Sequence, residues 1–370
     1  MSKVILSGNN YLFTDERLEK MCDFLAGEGF DVLLVGRRYR NSPDLPARPY
    51  ATRRLHLCFK KGFAFYAEYN LRLFFFLLFQ KCDVLVANDL DTLLPNYLVA
   101  KIKGKKLVYD SHEYFCGLPE LVGRPRVQRF WHGIEKACFP KLPIVLTVCR
   151  SIADLYDREY PRPEPVKVVR NFPRRTCPQV TETRASLGLP ENKKLIVMQG
   201  AINKDRGAEE LLLAMHEIPD SLLLIIGNGD VIPQLKNLVE KEKLTEKVRF
   251  IPRQTPERLF QYTVQCDLGC SLEKDTNLNY RFCLPNKLFD YIRAGVPALV
   301  SNLPEMSRIV AESGVGEILP EHSPHAIAAA INQIFSNQEQ YSQYQQNTKA
   351  AAERYCWENE MSVLKDIYLR

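Results

Sequence analysis

Short apolar runs rich in β-branched residues alternate with helix-like segments along most of the chain, and this alternation constrains the fold more than any other feature. Parallel strands need a long crossover connection, usually a helix, so the pattern predicts βαβ units and parallel sheets. A proline-rich stretch, residues 160–171, separates two sets of runs. We therefore predict an α/β fold with two doubly wound domains. The predicted strands are Val4–Ser7, Val32–Val35, Val84–Ala87, Leu107–Tyr109 and Ile144–Val148 in the first half, and Leu195–Met198, Leu222–Ile226, Val248–Ile251, Leu268–Cys270 and Ala298–Val300 in the second.

Composition bounds the class of protein. The 370 residues are 46% hydrophobic and 25% charged, a balance typical of globular domains, and a net charge of +6 does not by itself indicate nucleic-acid binding. The eleven cysteines lack the spacing of metal ligands, and no signal peptide precedes the first predicted strand. We expect a reducing, cytoplasmic location, no metal and no nucleic-acid partner.

One apolar segment, residues 62–79, has about the length of a membrane span. Glu68, Asn70 and Arg72 interrupt it. We interpret it as a buried helix of the domain rather than as an interfacial helix.

A second segment, Arg37–Lys61, is strongly basic. It holds eight Lys and Arg residues against the single acidic residue Asp44, a net charge of +7, and has aromatic neighbours. This composition fits two interpretations, a solvated loop or a peripheral contact with an anionic membrane at the inner face of the cell membrane.

Polar and glycine residues gather directly after the predicted strands, where ligands of open α/β sheets bind. In the first half, Gly8 and Asn9 follow the first strand, Asp89 follows the third, and His112 and Glu113 follow the fourth. A histidine bracketed by the carboxylates of Asp110 and Glu113 can be oriented and partly protonated, and can then hydrogen-bond a hydroxyl or a developing charge. The alternative is a histidine that only satisfies loop backbone groups.

The most informative run is the segment 285–297, PNKLFDYIRAGVP. It predicts a helix that begins at Pro285–Asn286 and stops at Gly295. Free N–H groups at a helix start, with Lys287 beside them, suit a diphosphate, and Asp290 one turn later can accept hydrogen bonds from ribose hydroxyls. An ordinary amphipathic helix with solvated Lys and Asp explains the local pattern equally well.

Two glycine-containing turns follow strands of the second half. Residues 199–207, QGAINKDRG, place Gly200, Lys204 and Arg206 before a helix, which suits either a phosphate-binding loop or a solvated turn. Gly227 and Asn228 lie in a Gly-x-Gly turn, a weak signal that many tight βα turns share.

These motifs resemble those of the family-4 glycosyltransferases with the GT-B fold. The segment 285–297 is similar to the family's donor-binding helix, P-[NS]-K-[LF]-x-E-Y-x-x-x-G-x-P, with Asp290 at the glutamate. In the family's diphosphate-binding loop, Arg206 falls at the lysine and Ala201 at the arginine. Many members carry a further glutamate eight positions before the one that aligns with Asp290, and this chain has Phe282 there. Glu273 and Asn279 are the candidates to replace that glutamate's contact with the donor sugar. The segment 110–113 is similar to the family's D-x-H-[ED].

The resemblance implies two Rossmann-like domains that face each other across a cleft. Residues 1–165 would bind the acceptor, residues 166–345 the nucleotide-sugar donor, and residues 346–370 would return to the first domain. The implied catalytic residues are His112, Arg206 and Lys287; the implied donor-binding residues are Gly200, Lys204, Arg206, Gly227, Asn228, Pro285, Asn286, Lys287, Leu288 and Asp290; and the implied acceptor-side residues are Gly8, Asn9, Asp89, His112 and Glu113.

The expected function is transfer of a hexose from a UDP- or GDP-linked sugar to a glycan or lipid-linked acceptor, with retention of configuration, in cell-surface polysaccharide synthesis. The nucleotide sugar is a co-substrate, and we expect no cofactor or metal. Two alternatives stay open, a sugar-nucleotide epimerase of the same fold and a non-catalytic sugar-nucleotide-binding protein.

An Asp-x-Asp at Asp89 and Asp91 is the metal-binding signature of a different transferase fold, GT-A. Two doubly wound halves argue against that fold. We expect Asp91 to cap the helix that follows.

Overall fold

The computed structural model describes residues 1–9, 12, 15–39, 42 and 44–369. Its contacts divide the chain into two compact units, unit 1 (Met1–Arg170 and Val363–Arg370) and unit 2 (Asn171–Ser362). The sequence placed the boundary after residue 165 and the returning segment at residue 346; the contacts place them after Arg170 and at Val363. The end of the last helix, from Val363, belongs to unit 1, where Lys106 Nζ donates to the carbonyl of Ile367 at 2.6 Å.

Unit 1 is built on one parallel sheet. In its described residues seven strands lie in the order β3-β2-β1-β4-β5-β6-β7, and each pairs with its neighbours in parallel. The strands are β1 (Lys3–Ser7), β2 (Asp31–Arg38), β3 (Ala51–His56), β4 (Val84–Asn88), β5 (Lys106–Ser111), β6 (Ile144–Thr147) and β7 (Lys167–Val168).

Unit 2 repeats this design with six strands among its residues, all of which the structure describes. They are parallel and lie in the order β10-β9-β8-β11-β12-β13. The strands are β8 (Lys194–Ala201), β9 (Ser221–Asn228), β10 (Val248–Ile251), β11 (Leu268–Ser271), β12 (Ala298–Ser301) and β13 (Gly316–Leu319).

Helices connect the strands, together with three short 3-10 segments within the described ranges (Phe115–Gly117, Phe139–Lys141 and Met215–Glu217). The helices are α1 (Glu16–Gly27), α2 (Gly62–Phe79), α3 (Leu90–Lys103), α4 (Pro119–Val122), α5 (Pro125–Cys138), α6 (Arg150–Glu159), α7 (Ala208–Ala214), α8 (Ile232–Lys241), α9 (Pro256–Thr263), α10 (Leu278–Arg281), α11 (Asn286–Arg293), α12 (Pro304–Ser313), α13 (Pro324–Ser336), α14 (Gln338–Arg354) and α15 (Trp357–Tyr368).

The strand orders fix where ligands are expected. In unit 1 the order reverses between β1 and β4, and in unit 2 it reverses between β8 and β11. Loops that leave the carboxyl ends of two such strands diverge to opposite sides and open a crevice. The loops after β1, β4, β8 and β11 therefore carry the residues of interest.

All ten predicted strands are present, and three further strands were missed. The edge strand β3, ATRRLH, lies inside the basic stretch that was interpreted as a solvated loop or a membrane contact. Its alternate residues are not apolar, because an edge strand is not enclosed by helices on both faces. Strands β7 and β13 are short and offer too few residues for periodicity.

Helix α2 departs from its predicted burial. Phe65, Tyr69, Leu73 and Leu77 are buried, but Phe63 and Phe79 are 74% and 79% exposed. The interpretation of residues 62–79 as a buried helix is therefore wrong for one face, since a helix that lies on one side of a sheet is covered along one stripe only. Among the described residues, no helix is both long enough and apolar enough to span a membrane.

Candidate functional site

Unit 2 gathers its candidate residues at the β8/β11 switch point. The ends of β8 and β9 approach closely, because a Cβ atom on Gly227 (φ +148°) would lie 1.9 Å from the carbonyl oxygen of Gly200. Gly207, with φ +78°, precedes α7, and a Cβ there would lie 2.3 Å from the carbonyl oxygen of Leu272 after β11. Only glycine fits this backbone approach, so the loop that holds Arg206 runs directly beside the end of β11.

A buried ion pair lies where these loops meet. Lys287 Nζ lies 2.9 Å from Glu273 Oε1, and the two side chains are 5% and 1% exposed. Ser271 Oγ donates to the other carboxylate oxygen at 2.8 Å. Burial raises the pKa of Glu273, but the charges of Lys287 and Arg206 outweigh it and hold that pKa below its usual value. The carboxylate is therefore ionised, and it keeps two cations in place.

Arg206 is the second of those cations. Its guanidinium lies over the ring of Tyr280, 5.4 Å from the ring centroid, and a cation in this position is attracted to the aromatic face. The Tyr280 hydroxyl in turn donates to the carbonyl of Lys204 at 3.3 Å. The sequence did not single out Tyr280, because an aromatic residue in a short loop helix gives no periodic signal.

The N-terminus of helix α11 lies at this cluster, since Lys287 belongs to its first turn. The helix begins at Asn286 after Pro285, no side chain caps it, and Gly295 follows it with φ +75°, as the sequence predicted. Uncapped N–H groups and the helix dipole favour an anion. The side chain of Leu288 is fully buried, so Leu288 can contribute to a ligand site only through its backbone. The side-chain amide oxygen of Asn286, Oδ1, accepts from Asn171 Nδ2 at 3.2 Å.

The carboxylate of Asp290 is oriented by neighbouring side chains. Gln199 Nε2 donates to Asp290 Oδ2 at 3.2 Å, and Arg293 lies 3.6 Å from Oδ1. Gln199 is itself fixed by Thr263 Oγ1, which donates to it at 2.8 Å. Asp290 is thus not a freely solvated residue, in contrast to the ordinary-helix alternative.

Lys204 and Asn228 lie at the open rim of unit 2. The Lys204 side chain is exposed, and its backbone N–H donates to Asp230 Oδ1 at 3.0 Å. Asn228 Oδ1 accepts from the backbone N–H of Arg253 at 3.4 Å. Both residues are close to the β8 and β9 ends, but neither contacts the buried ion pair in the bonds described.

Unit 1 contains a second charged cluster, anchored by Arg17. Its guanidinium binds both carboxylate oxygens of Asp110, at 3.0 and 2.6 Å, and donates to the carbonyl of Val169 at 2.8 Å. Asp15 caps α1 by accepting from the N–H of Leu18. Arg17 is not a solvated arginine, since it is only 2% exposed; an isolated arginine in the sequence does not reveal its distant partner.

His112 lies between the carboxylates of Asp110, as the sequence predicted, and of Asp89 rather than Glu113. Its Nδ1 is 3.4 Å from Asp89 Oδ2 and its Nε2 is 3.5 Å from Asp110 Oδ2, and its backbone N–H donates to Asp89 Oδ1 at 2.8 Å. Burial alone lowers the pKa of His112, but Asp89 and Asp110 raise it to about 9. At neutral pH the ring is a cation held beside two strand ends. The adjacent Glu113 accepts from Ser111 Oγ through its backbone carbonyl.

The loops after β1 and β4 are tied together by Asp91. Asn9 Nδ2 donates to Asp91 Oδ2 at 2.6 Å, and burial, reinforced by Asp89, raises the pKa of Asp91 to about 7. The sequence predicted that Asp91 caps α3, and this prediction is wrong, because α3 begins at Leu90. The capping position belongs to Asp89, whose side chain makes no capping bond because it binds His112. Gly8 accepts from the Tyr69 hydroxyl at 2.7 Å; the neighbouring Asn10 lies outside the described residues.

Within the described ranges, one group of His, Cys, Asp and Glu side chains has metal-ligand spacing, and it is not the Asp-x-Asp. It comprises Cys116, His132 and Glu135. Glu135 is already engaged, because the Tyr160 hydroxyl donates to its Oε2 at 2.8 Å. The expectation that the site uses no metal stays a prediction.

The Lys287–Glu273 pair yields a stability prediction. Glu273→Gln leaves the Lys287 ammonium buried without a countercharge, which should lower the free energy of unfolding by about 3–5 kcal/mol. Adding Lys287→Met removes that charge and should recover most of the loss. Urea unfolding measures both variants. Glu312→Gln is the matched control, because its pair with Arg354 has the same 2.9 Å separation but is exposed and should lose less than about 1 kcal/mol. Equal losses at the two sites would contradict the assigned role.

The His112 cluster yields a pH prediction. Because the folded pKa of His112 is raised from 6.5 to about 9, its contribution to stability is fully present below about pH 6.5 and is lost as the pH rises through 9. The difference in unfolding free energy between the wild type and His112→Gln should therefore shrink between these pH values, by at most about 3 kcal/mol. Urea unfolding at a series of pH values measures it. In Asp89→Asn the pH at which His112 stops contributing to stability should be lower, because one of its two carboxylate partners is gone. If the wild type and His112→Gln differ by the same free energy at every pH, the charge of His112 is not coupled to these carboxylates.

Known proteins share both the sequence pattern and the fold. The sequence model of the family described as Glycosyltransferase Family 4 matches residues 17–172. The model of the family described as Glycosyl transferases group 1 matches residues 179–351. The D-inositol 3-phosphate glycosyltransferase of Corynebacterium urealyticum is 26% identical over 196 residues, which are 50% of this chain and 45% of that protein. The chain thus spans about half the length of the curated relative it matches.

Two solved structures have the same two-domain fold. Sucrose-phosphate synthase from Thermosynechococcus elongatus superimposes with a TM-score of 0.82 at 16% identity, over 100% of this chain and 98% of that chain. HepE (Alr3699) from Anabaena, solved with UDP and glucose, superimposes with a TM-score of 0.79 at 14% identity, over 99% of each chain. The two matched segments together span most of the residues, and the chain belongs to the family-4-like group 1 glycosyltransferases with the GT-B fold.

Proposed function

We propose that this protein transfers a hexose from a nucleotide-diphosphate sugar to a glycan or lipid-linked acceptor, with retention of configuration and without a metal. The observation that carries the proposal is the buried Lys287–Glu273 pair at the uncapped start of α11, with Arg206 beside it. The UDP bound in the HepE structure supports a nucleotide-diphosphate ligand for this fold. The diphosphate of a UDP- or GDP-linked sugar would supply the anion that Lys287, Arg206 and the start of α11 bind.

The chain's own residues supply what a departing diphosphate needs. An ammonium has three donors, so Lys287 can hold Glu273 and a phosphate oxygen together. Arg206 offers a planar fork that binds phosphate through two parallel hydrogen bonds. Because Glu273 fixes the charges before the ligand arrives, they need little reorganisation as negative charge develops on the leaving group. Asp290 is placed one turn into α11, where a ribose hydroxyl would donate to it.

Among the acceptor-side residues, we assign the catalytic role to His112. A protonated imidazole between Asp89 and Asp110 can donate to a sugar hydroxyl or stabilise a developing negative charge. Gly8, Asn9 and Glu113 line the neighbouring strand ends and would position the acceptor.

The proposed setting is the inner face of a cell membrane, in cell-surface polysaccharide synthesis. All eleven cysteines are free thiols, which suits a reducing compartment. Of the basic stretch Arg37–Lys61, the exposed side chains of Arg53, Lys60 and Lys61 would be available to an anionic surface. Arg40 lies outside the described residues.

Several basic side chains of the same stretch are engaged within unit 1. Arg37 lies over the ring of Phe65 at 5.2 Å, and Arg48 donates to the carbonyl of Leu12 at 2.8 Å. Only part of the stretch is therefore proposed to reach lipid.

Donor binding tests the proposal. In calorimetric titrations with UDP-, GDP- and ADP-sugars, one nucleotide should bind to the wild type, and Arg206→Ala should weaken it by about tenfold to a hundredfold, as expected for loss of charged hydrogen bonds. Lys349→Ala, which removes an exposed lysine of α14, is the control and should bind normally. No binding by any nucleotide sugar would contradict the donor site.

Turnover distinguishes the function from its alternatives. With the bound nucleotide sugar, transfer should require an acceptor, and proton NMR of the product should show the anomeric configuration of the donor. Conversion of the free nucleotide sugar into its epimer without acceptor would identify an epimerase. Tight binding without turnover over a broad set of acceptors would identify a binding protein, which the departures at Ala201 and Phe282 would then explain.

A further inference from the structure

Helix α2 carries an apolar stripe on its exposed side. Opposite its buried stripe, the 18-residue helix exposes one large apolar residue in its first turn and three more, four positions apart, in its second half. A surface helix normally has a polar outer face, and one that is apolar all round needs a second apolar environment. The exposed members are Phe63 (74%), Leu71 (59%), Phe75 (49%) and Phe79 (79%).

The stripe extends onto a second helix. The ring of Phe63 meets the ring of Phe130 of α5 edge-on, with centroids 5.9 Å apart. Phe130 and Val127 are 48% and 42% exposed, and Phe59 just before α2 is 54% exposed. Single exposed apolar residues are ordinary, but a contiguous set of this kind marks an interaction surface.

Positive charge lies at the Phe63 end of the stripe, while the stripe itself carries no net charge. The only charged residues of α2, Glu68 and Arg72, pair with each other at 2.9 Å. At the α2 start the side chains of Lys60 and Lys61 are exposed. The first part of α5 adds the exposed side chains of Arg124, Arg126 and Arg129.

From this arrangement we propose that the exposed stripe of α2, with Phe130 and the Lys and Arg side chains beside its Phe63 end, is a docking surface for an anionic lipid bilayer. Aromatic and aliphatic side chains enter the interface between headgroups and acyl chains, and a rim of Lys and Arg binds anionic headgroups. The charge also decides against a second copy of the chain as the occupant. A symmetric dimer would place the same positive rims against each other.

The inner side of α2 connects this surface to the acceptor-side residues. Tyr69 donates to the carbonyl of Gly8 at 2.7 Å, and Asn70 donates to the carbonyl of Asp91 at 2.9 Å. One helix, about 10 Å in diameter, thus separates the lipid-facing stripe from the loops after β1 and β4. This part of the inference rests on the proposed function, since it places a lipid-linked acceptor within reach of those loops.

Vesicle co-sedimentation of the full chain tests the surface, without nucleotide sugar present. The protein should bind vesicles of mixed phosphatidylcholine and phosphatidylglycerol, and bind phosphatidylcholine alone much more weakly. Phe75→Ser with Phe79→Ser should weaken binding to the mixed vesicles by about tenfold or more, because buried apolar area sets interfacial affinity. Lys60→Gln with Lys61→Gln should weaken that binding and reduce its salt dependence. Val180→Ser is the control, since it removes a 53% exposed apolar side chain from unit 2, and it should bind as the wild type does.

Three results would overturn the surface. They are no binding to anionic vesicles, equal binding by the Phe75/Phe79 variant, and self-association in light scattering that this variant abolishes while vesicle binding is absent. The donor titration is repeated on the same samples to show that each variant is folded. Intact donor binding without vesicle binding would reject this surface alone, and vesicle binding without donor binding would reject the proposed function alone.

Discussion

The parallel direction of the strands in each sheet determines where this protein places its polar chemistry. Because all carboxyl ends of a parallel sheet lie at one edge, residues far apart in sequence meet there. In unit 1 this brings Asp89 and His112 together after β4 and β5. In unit 2 it brings Arg206, Glu273 and Lys287 together around β8 and β11. The strands of both sheets are otherwise lined with buried aliphatic side chains.

Each unit also contains a buried charged side chain that is stabilised by an oppositely charged partner. Arg17 holds Asp110 with two short hydrogen bonds in unit 1, and Glu273 holds Lys287 in unit 2. A charge buried in a low-dielectric interior without such a partner would cost several kcal/mol of stability, roughly 3–5 by analogy with broken buried pairs. These pairs have a consequence for ligand binding, since a fixed cation at a strand end is already oriented for an anion. His112 and Lys287 are two such cations, one in each unit.

Much of the fold could be predicted from sequence, because apolar runs and the proline-glycine limits of α11 are local signals. The buried partners could not, because Arg17 and Asp110 are separated by 93 positions, and nothing local marks them as a pair. The pairing of Glu273 with Lys287 was missed for the same reason, and Tyr280 was missed because a short loop helix gives no periodic signal. Local pattern also misjudged α2, where apolar residues occupy both the face that packs on the domain and the face that does not. Periodicity reports that a helix is apolar all round but not what covers each face.

The central claim is that unit 2 binds the diphosphate of a nucleotide sugar at the start of α11. A crystal structure with the nucleotide sugar that binds in solution tests it most directly. The account predicts diphosphate oxygens within hydrogen-bond distance of Lys287 Nζ, the Arg206 guanidinium and the first backbone N–H groups of α11, with the Lys287–Glu273 contact retained. A diphosphate held elsewhere, with Lys287 and Arg206 making no contact to it, would contradict the account.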